Sequence, residues 1–294
     1  MISEHALDRL HGLLGRPDLS GTRYELISLL GRGGMAVVYL ARDAILDREV
    51  ALKVLDWTAD DWSAARLAQE ARILASLEHP GIVPVHDFGQ LADGRTFYAM
   101  KRVRGERLDR WAAGRDLHER LSAFLRVCDA VAFAHAHGVV HRDLKPANVM
   151  VGEFGEVLVL DWGIARIRGQ AEAGGVVAGT PDYMAPEQAR GDRSVDERAD
   201  VFALGTLLGG LGDRRKALLA ITSKATSAAA ADRYASVSDL GADVSRFMAG
   251  LAVDALHEGI ADRVLRGIRR HRVAIALVLT YLLMRLLLLT VFHI

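Results

Sequence analysis

The chain has 294 residues, 51% of them apolar, with 37 Lys+Arg against 37 Asp+Glu and a single cysteine, Cys128. This composition supports a packed core and argues against wholesale disorder. The zero formal charge gives no basic excess with which to grip nucleic acid, and one thiol excludes an internal disulfide framework and argues against a cysteine-built zinc site.

Residues 1–23 read as an N-terminal extension. Leu7, Leu10, Leu13 and Leu14 recur at helical spacing and predict a short amphipathic helix. No apolar run of signal-peptide length interrupts the charges there, so no secretory signal is expected. Leu26–Leu30 is an apolar run, followed by Gly31-Arg32-Gly33-Gly34-Met35-Ala36-Val37-Val38-Tyr39. The pattern is strand, glycine-rich turn, strand. Glycines let a backbone approach a phosphate and aim N–H groups at it. A plain hairpin turn has the same composition, so the stretch alone leaves both readings open. It is no Walker A loop, because no Gly-Lys-Ser/Thr follows, and it fits a dinucleotide fingerprint poorly, because the next element reads as a strand.

Val50–Leu55 is a further apolar strand and contains Lys53. A lysine there is costly unless its charge is paired or used, although edge strands also carry lysines. Ser63–Leu77 has helical periodicity, with Glu70 midway, and stops at Glu78-His79-Pro80-Gly81. A Lys53–Glu70 pair would aim the lysine at anionic oxygens. A second apolar helix, with Leu121, Phe124, Leu125, Cys128 and Val131, ends at Gly138. It leads into His141-Arg142-Asp143-Leu144-Lys145-Pro146-Ala147-Asn148-Val149-Met150. The strand-like Val157–Leu160 then opens on Asp161-Trp162-Gly163, with Gly179-Thr180-Pro181 and Ala185-Pro186-Glu187 beyond. A helix is predicted over Ala217–Ala231.

The mean hydropathy is +0.14, and the excess lies at the C-terminus. Val273–Phe292 is a nearly unbroken apolar run whose one charge is Arg285. As a helix it would span about 30 Å, a bilayer core. A central Arg costs about 3 kcal/mol on insertion scales, and each Leu returns roughly 0.5, so its eight leucines outweigh it. Arg263, Arg266, Arg269, Arg270 and Arg272 precede it, which predicts a single-pass anchor with the N-terminal body cytoplasmic. A buried core helix or an interfacial helix is the competing reading. Little chain follows the run, so no external sensor domain is expected. Membrane lipid is thus an expected partner, and Arg285 would either snorkel or pair with a transmembrane or homo-oligomeric partner.

The ordered motifs resemble those of the Hanks-type (eukaryotic-like) serine/threonine protein kinases that bacteria often tether to the membrane. The resemblance covers Tyr24–Leu251. It implies an α+β, bilobal protein-kinase-like fold, with a β-rich N-lobe over about 24–103 and a helical C-lobe over about 104–251. A basic juxtamembrane segment, 252–272, and a C-terminal transmembrane helix, 273–292, would follow. The implied activity is ATP-dependent phosphorylation of Ser/Thr hydroxyls on protein substrates. The implied cofactors are ATP and Mg²⁺, with Mn²⁺ as a substitute.

By the same resemblance, Gly31, Gly33 and Gly34 cover the phosphates, with Ala36 replacing the family's third glycine. Lys53 contacts the α- and β-phosphates and Glu70 orients it. Asp143 is the catalytic aspartate, Lys145 steadies the transferring phosphate, and Asn148 and Asp161 are metal ligands. Val38, Ala51, Met100 as gatekeeper, the hinge Lys101–Val103 and Met150 form the adenine site. Thr180 bridges Asp143 and Lys145, Asp200 holds the catalytic-loop backbone, and Glu187 and Arg233 form a bracing ion pair. Trp162 stands where the family usually has Phe and is expected to pack under the helix.

Two departures stand out. Between Gly163 and Gly179 there is no Ser, Thr or Tyr, so ordinary loop phosphorylation is not the expected switch; Glu172 is the one carboxylate there. Only 27 residues, Thr206 to Asp232, separate Gly205 from Arg233, which implies either curtailed substrate docking or simple loop shortening. The alternative functions are a pseudokinase acting as a nucleotide-sensing or scaffolding module, and a small-molecule phosphotransferase of related fold.

Overall fold

The computed structural model describes residues 16–33, 35–56, 61–163, 165–167, 179–192, 195–256 and 276–285. The expected N-terminal helix, Gly34, Glu172 and most of the apolar C-terminal run lie outside the described residues.

The N-lobe is a five-stranded antiparallel sheet in the order β1-β2-β3-β5-β4, with one helix against it. Its strands are β1 (Tyr24–Arg32), β2 (Ala36–Asp43), β3 (Arg48–Leu55), β4 (Val85–Gln90) and β5 (Thr96–Lys101); the helix is α1 (Asp61–Ser76). Alternation in β3 sorts the side chains. Val50, Leu52 and Val54 join Phe97 and Ala99 of β5 in a core on one face. Ala51, Lys53 and Leu55 are left for the face that meets α1 and the C-lobe. Leu67, Ala71 and Leu74 of α1 are buried at helical spacing, as periodicity predicts. The glycine-rich turn is shorter than expected. β1 runs through Gly31 to Arg32, with a register shift between Leu29 and Gly31 that bends the strand there. Strand β2 begins at Ala36, and Gly33 N–H donates to the Ala36 carbonyl, 2.8 Å.

The C-lobe begins with β6 (Gly105–Arg107), α2 (Leu108–Ala112) and α3 (Leu117–Ala136). A capping box between Asp116 and Glu119 starts α3. Its buried residues Leu121, Phe124, Val127, Cys128 and Val131 follow the 3.6-residue period. The short strands β7 (Val139–Val140), β8 (Val149–Gly152), β9 (Val157–Val159) and β10 (Arg166–Ile167) carry the loops of the cleft. Helices α4 (Pro186–Ala189), α5 (Arg198–Gly210), α6 (Lys216–Ala225) and α7 (Val237–Met248) complete the lobe. Helix α5 is buried along most of its length, from Ala199 to Leu208, as a helix apolar on nearly all sides must be.

The helix predicted over Ala217–Ala231 ends at Ala225. The next carbonyls are diverted: those of Ser227 and Ala228 accept from the Arg233 guanidinium at 2.8 and 3.2 Å. Packing continues past Leu251. Val253 is buried, and the amides of Asp254 and Ala255 donate to the buried Asp243 carboxylate at 2.6 and 2.9 Å. Residues 276–285 are helical, with Leu277, Leu279, Tyr281, Leu283 and other large apolar side chains exposed. Among the described residues no helix is long and apolar enough to cross a membrane.

Candidate active site

Strand register builds one wall of the cleft between the lobes. Lys53 lies opposite Val38 of β2 and Tyr98 of β5, and Ala51 lies opposite Met100. Val38, Lys53 and Met100 line a cavity of about 440 Å³, as do Asp143, Asn148 and Asp161 from the C-lobe. Gly33, Met35, Ala36 and Leu160 close it.

Lys53 Nζ donates to both Glu70 oxygens, at 2.7 and 2.9 Å, and to Asp161 Oδ1 at 3.0 Å. One ammonium thus joins strand β3, helix α1 and the loop after β9. Burial pulls the Lys53 ammonium down, but Glu70, Tyr98 and Asp161 together raise it above its ordinary value. Burial also pushes the Asp161 carboxyl up, and Lys53 more than reverses this, leaving it lowered. Lysine and aspartate are therefore both charged at neutral pH. Asp161 holds a positive φ of 58°, a conformation that a non-glycine residue keeps only when its surroundings over-determine it.

Asp143, Lys145 and Thr180 form a closed triangle. Lys145 Nζ donates to Asp143 Oδ2 and to Thr180 Oγ1, both at 2.7 Å, and Thr180 Oγ1 donates to Asp143 Oδ1 at 2.8 Å. Asn148 donates its amide to the Asp143 carbonyl and to Asp143 Oδ2, at 2.9 and 3.1 Å. Its donors are spent, which leaves its oxygen for a cation. Asn148 and Asp161 are hard oxygen donors in one cavity. Two protein ligands suit Mg²⁺, which keeps waters and binds substrate phosphates. Among the described residues no cluster of three or more His, Cys, Asp or Glu offers a closed metal cage.

The loop carrying Asp143 is held from beneath. Asp200 of α5 is fully buried and accepts the amides of His141 and Arg142, both at 2.8 Å. His141 Nδ1 accepts the Asp143 amide at 3.2 Å, so its Nε2–H faces the Leu160 carbonyl at 3.1 Å. Its ring packs on Trp162, centroids 4.5 Å apart. Trp162 is buried, so the larger ring is accommodated. Glu187 and Arg233 pair bidentately at 2.6 and 2.8 Å in the core.

Of the other residues expected at an adenine site, Ala51, Lys101, Val103 and Met150 are not among those lining this cavity. Met150 is half-buried on β8, opposite Leu158. Lys101 is exposed at the end of β5 and Val103 half-buried beyond it. The hinge side chain Arg102 is engaged by Glu49, which also accepts from Arg104 at 2.6 Å. Gly31 lies in β1 and Gly33 at the turn.

Three contributors were not singled out from sequence. Tyr98 donates its hydroxyl to Glu70 Oε1 at 2.8 Å; it is buried like its neighbours Phe97 and Ala99, so nothing in the strand's sequence marks it out. Gln188 donates to the Arg142 carbonyl at 2.6 Å. Gly179, at φ 131°, permits this approach, because a Cβ there would lie 2.8 Å from Gln188 Nε2. His135 Nε2 lies 2.8 Å from Asp200 Oδ2. Neither Gln188 nor His135 carries a local pattern that separates it from an ordinary surface polar residue.

Residues 24–249 match the family described as protein kinase domain. The chain is 44% identical over 197 residues to the DNA damage-responsive serine/threonine-protein kinase RqkA of Deinococcus radiodurans, covering 63% of this chain and 29% of the relative. It is 41% identical over 210 residues to the serine/threonine-protein kinase pkn3 of Myxococcus xanthus, covering 63% and 37%. With the serine/threonine-protein kinase PknD of Chlamydia caviae it shares 38% over 221 residues, covering 63% and 24%. The chain therefore spans roughly a quarter to a little over a third of the length of these curated relatives. With the two-lobed fold and the family match over most of its length, the chain belongs to the protein kinase family.

Proposed function

We propose that this chain transfers the terminal phosphoryl group of ATP to Ser/Thr hydroxyls of protein substrates. The observation that carries this reading is the Lys53 ammonium held at 2.7 Å by Glu70 and 3.0 Å by Asp161, the assembled arrangement that phosphoryl transfer needs. Lys53 binds the α- and β-phosphates, and Val38, Ala51, Met100 and Met150 sandwich the base, with the backbone of Lys101–Val103 reading its edge. Gly31, Gly33 and Gly34 cover the phosphates. Asn148 and Asp161 would hold Mg²⁺, which when bound neutralises charge on the β- and γ-phosphate oxygens. Asp143 orients the attacking hydroxyl and accepts its proton as the new O–P bond forms and the bond to ADP breaks. Lys145 stays beside the transferring phosphate. The intact constellation supports an active enzyme over a pseudokinase.

The test is transfer from labelled ATP with Mg²⁺ to a generic protein acceptor, comparing the full chain with Asp143→Asn. The expected result is phosphoserine and phosphothreonine, reduced at least tenfold by the substitution, since a positioned base is worth about a hundredfold or more. Undiminished transfer overturns the assignment.

We propose also that Val273–Phe292 anchors the domain in a membrane, with the kinase domain cytoplasmic. Support comes from the length and composition of the run, the five arginines before it, and the exposure of large apolar side chains at 277–284. Such exposure is unfavourable in water and suits lipid. Alkaline carbonate should leave the full chain in the membrane fraction and release a chain ending before Val273; release of both overturns the anchor.

A further inference from the structure

Helix α1 sends a second side chain to the Asp161–Gly163 turn. Arg66 lies one helical turn before Glu70, on the same face. Its Nη2 donates to the Gly163 carbonyl at 2.8 Å, and its guanidinium lies over the Trp62 ring, 4.6 Å from the centroid. Glu70 reaches the same turn: its Oε2 would lie 3.3 Å from a Cβ on Gly163, and through Lys53 it is tied to Asp161. The turn is thus gripped from α1 at both ends, Asp161 through Lys53 and Gly163 through Arg66.

We propose that Arg66 is a positioning residue, which fixes α1 in the register where Glu70 holds Lys53 and Asp161 keeps its strained backbone. The inference rests on the kinase reading above. Apolar packing of Leu67, Ala71 and Leu74 holds α1 against its neighbours, but burial is non-directional and leaves sliding and rotation cheap. The planar guanidinium supplies direction. A phosphate on the following segment cannot take this part, because 164–178 contain no hydroxyl side chain. Arginine stays charged at every working pH, so the tie is permanent.

The experiment uses the full chain and its Arg66→Ala, Arg66→Lys and Arg66→Gln variants. It measures kcat, the KM for ATP and the melting temperature. Arg66→Ala should lower kcat about tenfold, with KM for ATP changed less than threefold, because the adenine contacts remain. Arg66→Lys, whose ammonium can still reach the carbonyl, should return kcat to within threefold of wild type. Should the alanine variant not fold, Arg66→Gln, too short for Gly163, should show the same tenfold loss. A kcat within twofold of wild type for Ala or Gln, or a loss that Lys does not rescue, overturns the proposal. A wild-type chain with no transfer overturns the kinase reading and this one together; an active wild type with indifferent variants overturns this one alone.

Discussion

Asp200 holds the backbone of Arg142 in a conformation that residue would not choose. Its Oδ1 accepts the Arg142 amide at 2.8 Å, and Arg142 sits at φ 70°. Oδ2 accepts the His141 amide and lies against His135 Nε2, so one buried carboxylate serves three neighbours. Asp200→Ala strands these groups in the core. We expect a loss of about 3 kcal/mol in urea unfolding and a kcat at least tenfold lower. Wild-type values for both would contradict the role.

Acid should unfold the domain through a small set of carboxylates. Burial alone raises Asp161, Glu187 and Asp200, but Lys53, Arg233 and His135 respectively reverse this and leave all three lowered. A folded value below the unfolded one gives stability that is complete above the unfolded range, about pH 4, and lost as pH falls through the folded values. The melting temperature should be level from pH 7 to about 5 and fall steeply below about 4. Glu187→Gln should shallow the fall. A decline already under way at pH 6 would count against this account.

Thr180 joins Lys145 to Asp143 through one hydroxyl. Thr180→Val keeps the shape and removes the bridge, freeing both side chains to drift. Small misplacements of this kind cost heavily in rate, and we expect kcat to fall about tenfold with nucleotide affinity unchanged within twofold. Thr180→Ser should be near wild type. Loss of nucleotide binding by the valine variant would show that the hydroxyl acts elsewhere.

Tyr98→Phe deletes a buried hydroxyl that donates to Glu70. A hydrogen bond to a charged group is worth about 1.5–3 kcal/mol, so stability should drop by about that amount. The Lys53–Glu70 pair survives, so transfer should slow only a few-fold. A variant as stable as the wild type would mean that water replaces the hydroxyl.

Gly205 lets α5 and α6 approach closely, because a Cβ there would lie 2.6 Å from Ala225 Cβ. Gly205→Ala should cost about 1–3 kcal/mol by overpacking, without any change in KM for ATP. An unchanged melting temperature would show that the helices part freely.

Much of the fold was legible because burial leaves periodic marks. The apolar run Val50–Leu55 marks a strand covered on both faces, and the 3.6-residue spacing in α1 and α3 records which faces of those helices are covered. Helix ends were less legible. The stop at Ala225 depends on Arg233, eight residues further on, drawing off carbonyls that a helix would otherwise use. That β1 runs on to Arg32 likewise depends on β1–β2 register, which a run of glycines does not encode.

The sequence by itself determined the chemistry available: which residues could carry charge, accept protons or approach phosphate, and in what order along the chain. Tertiary structure alone decided which of them meet. Lys53 and Asp161 are 108 residues apart and touch at 3.0 Å, while Arg66, Tyr98, Gln188 and His135 take part only through partners distant in the chain. Periodicity reports solvent exposure one element at a time; a hydrogen bond between elements depends on how those elements pack, and no local pattern records that.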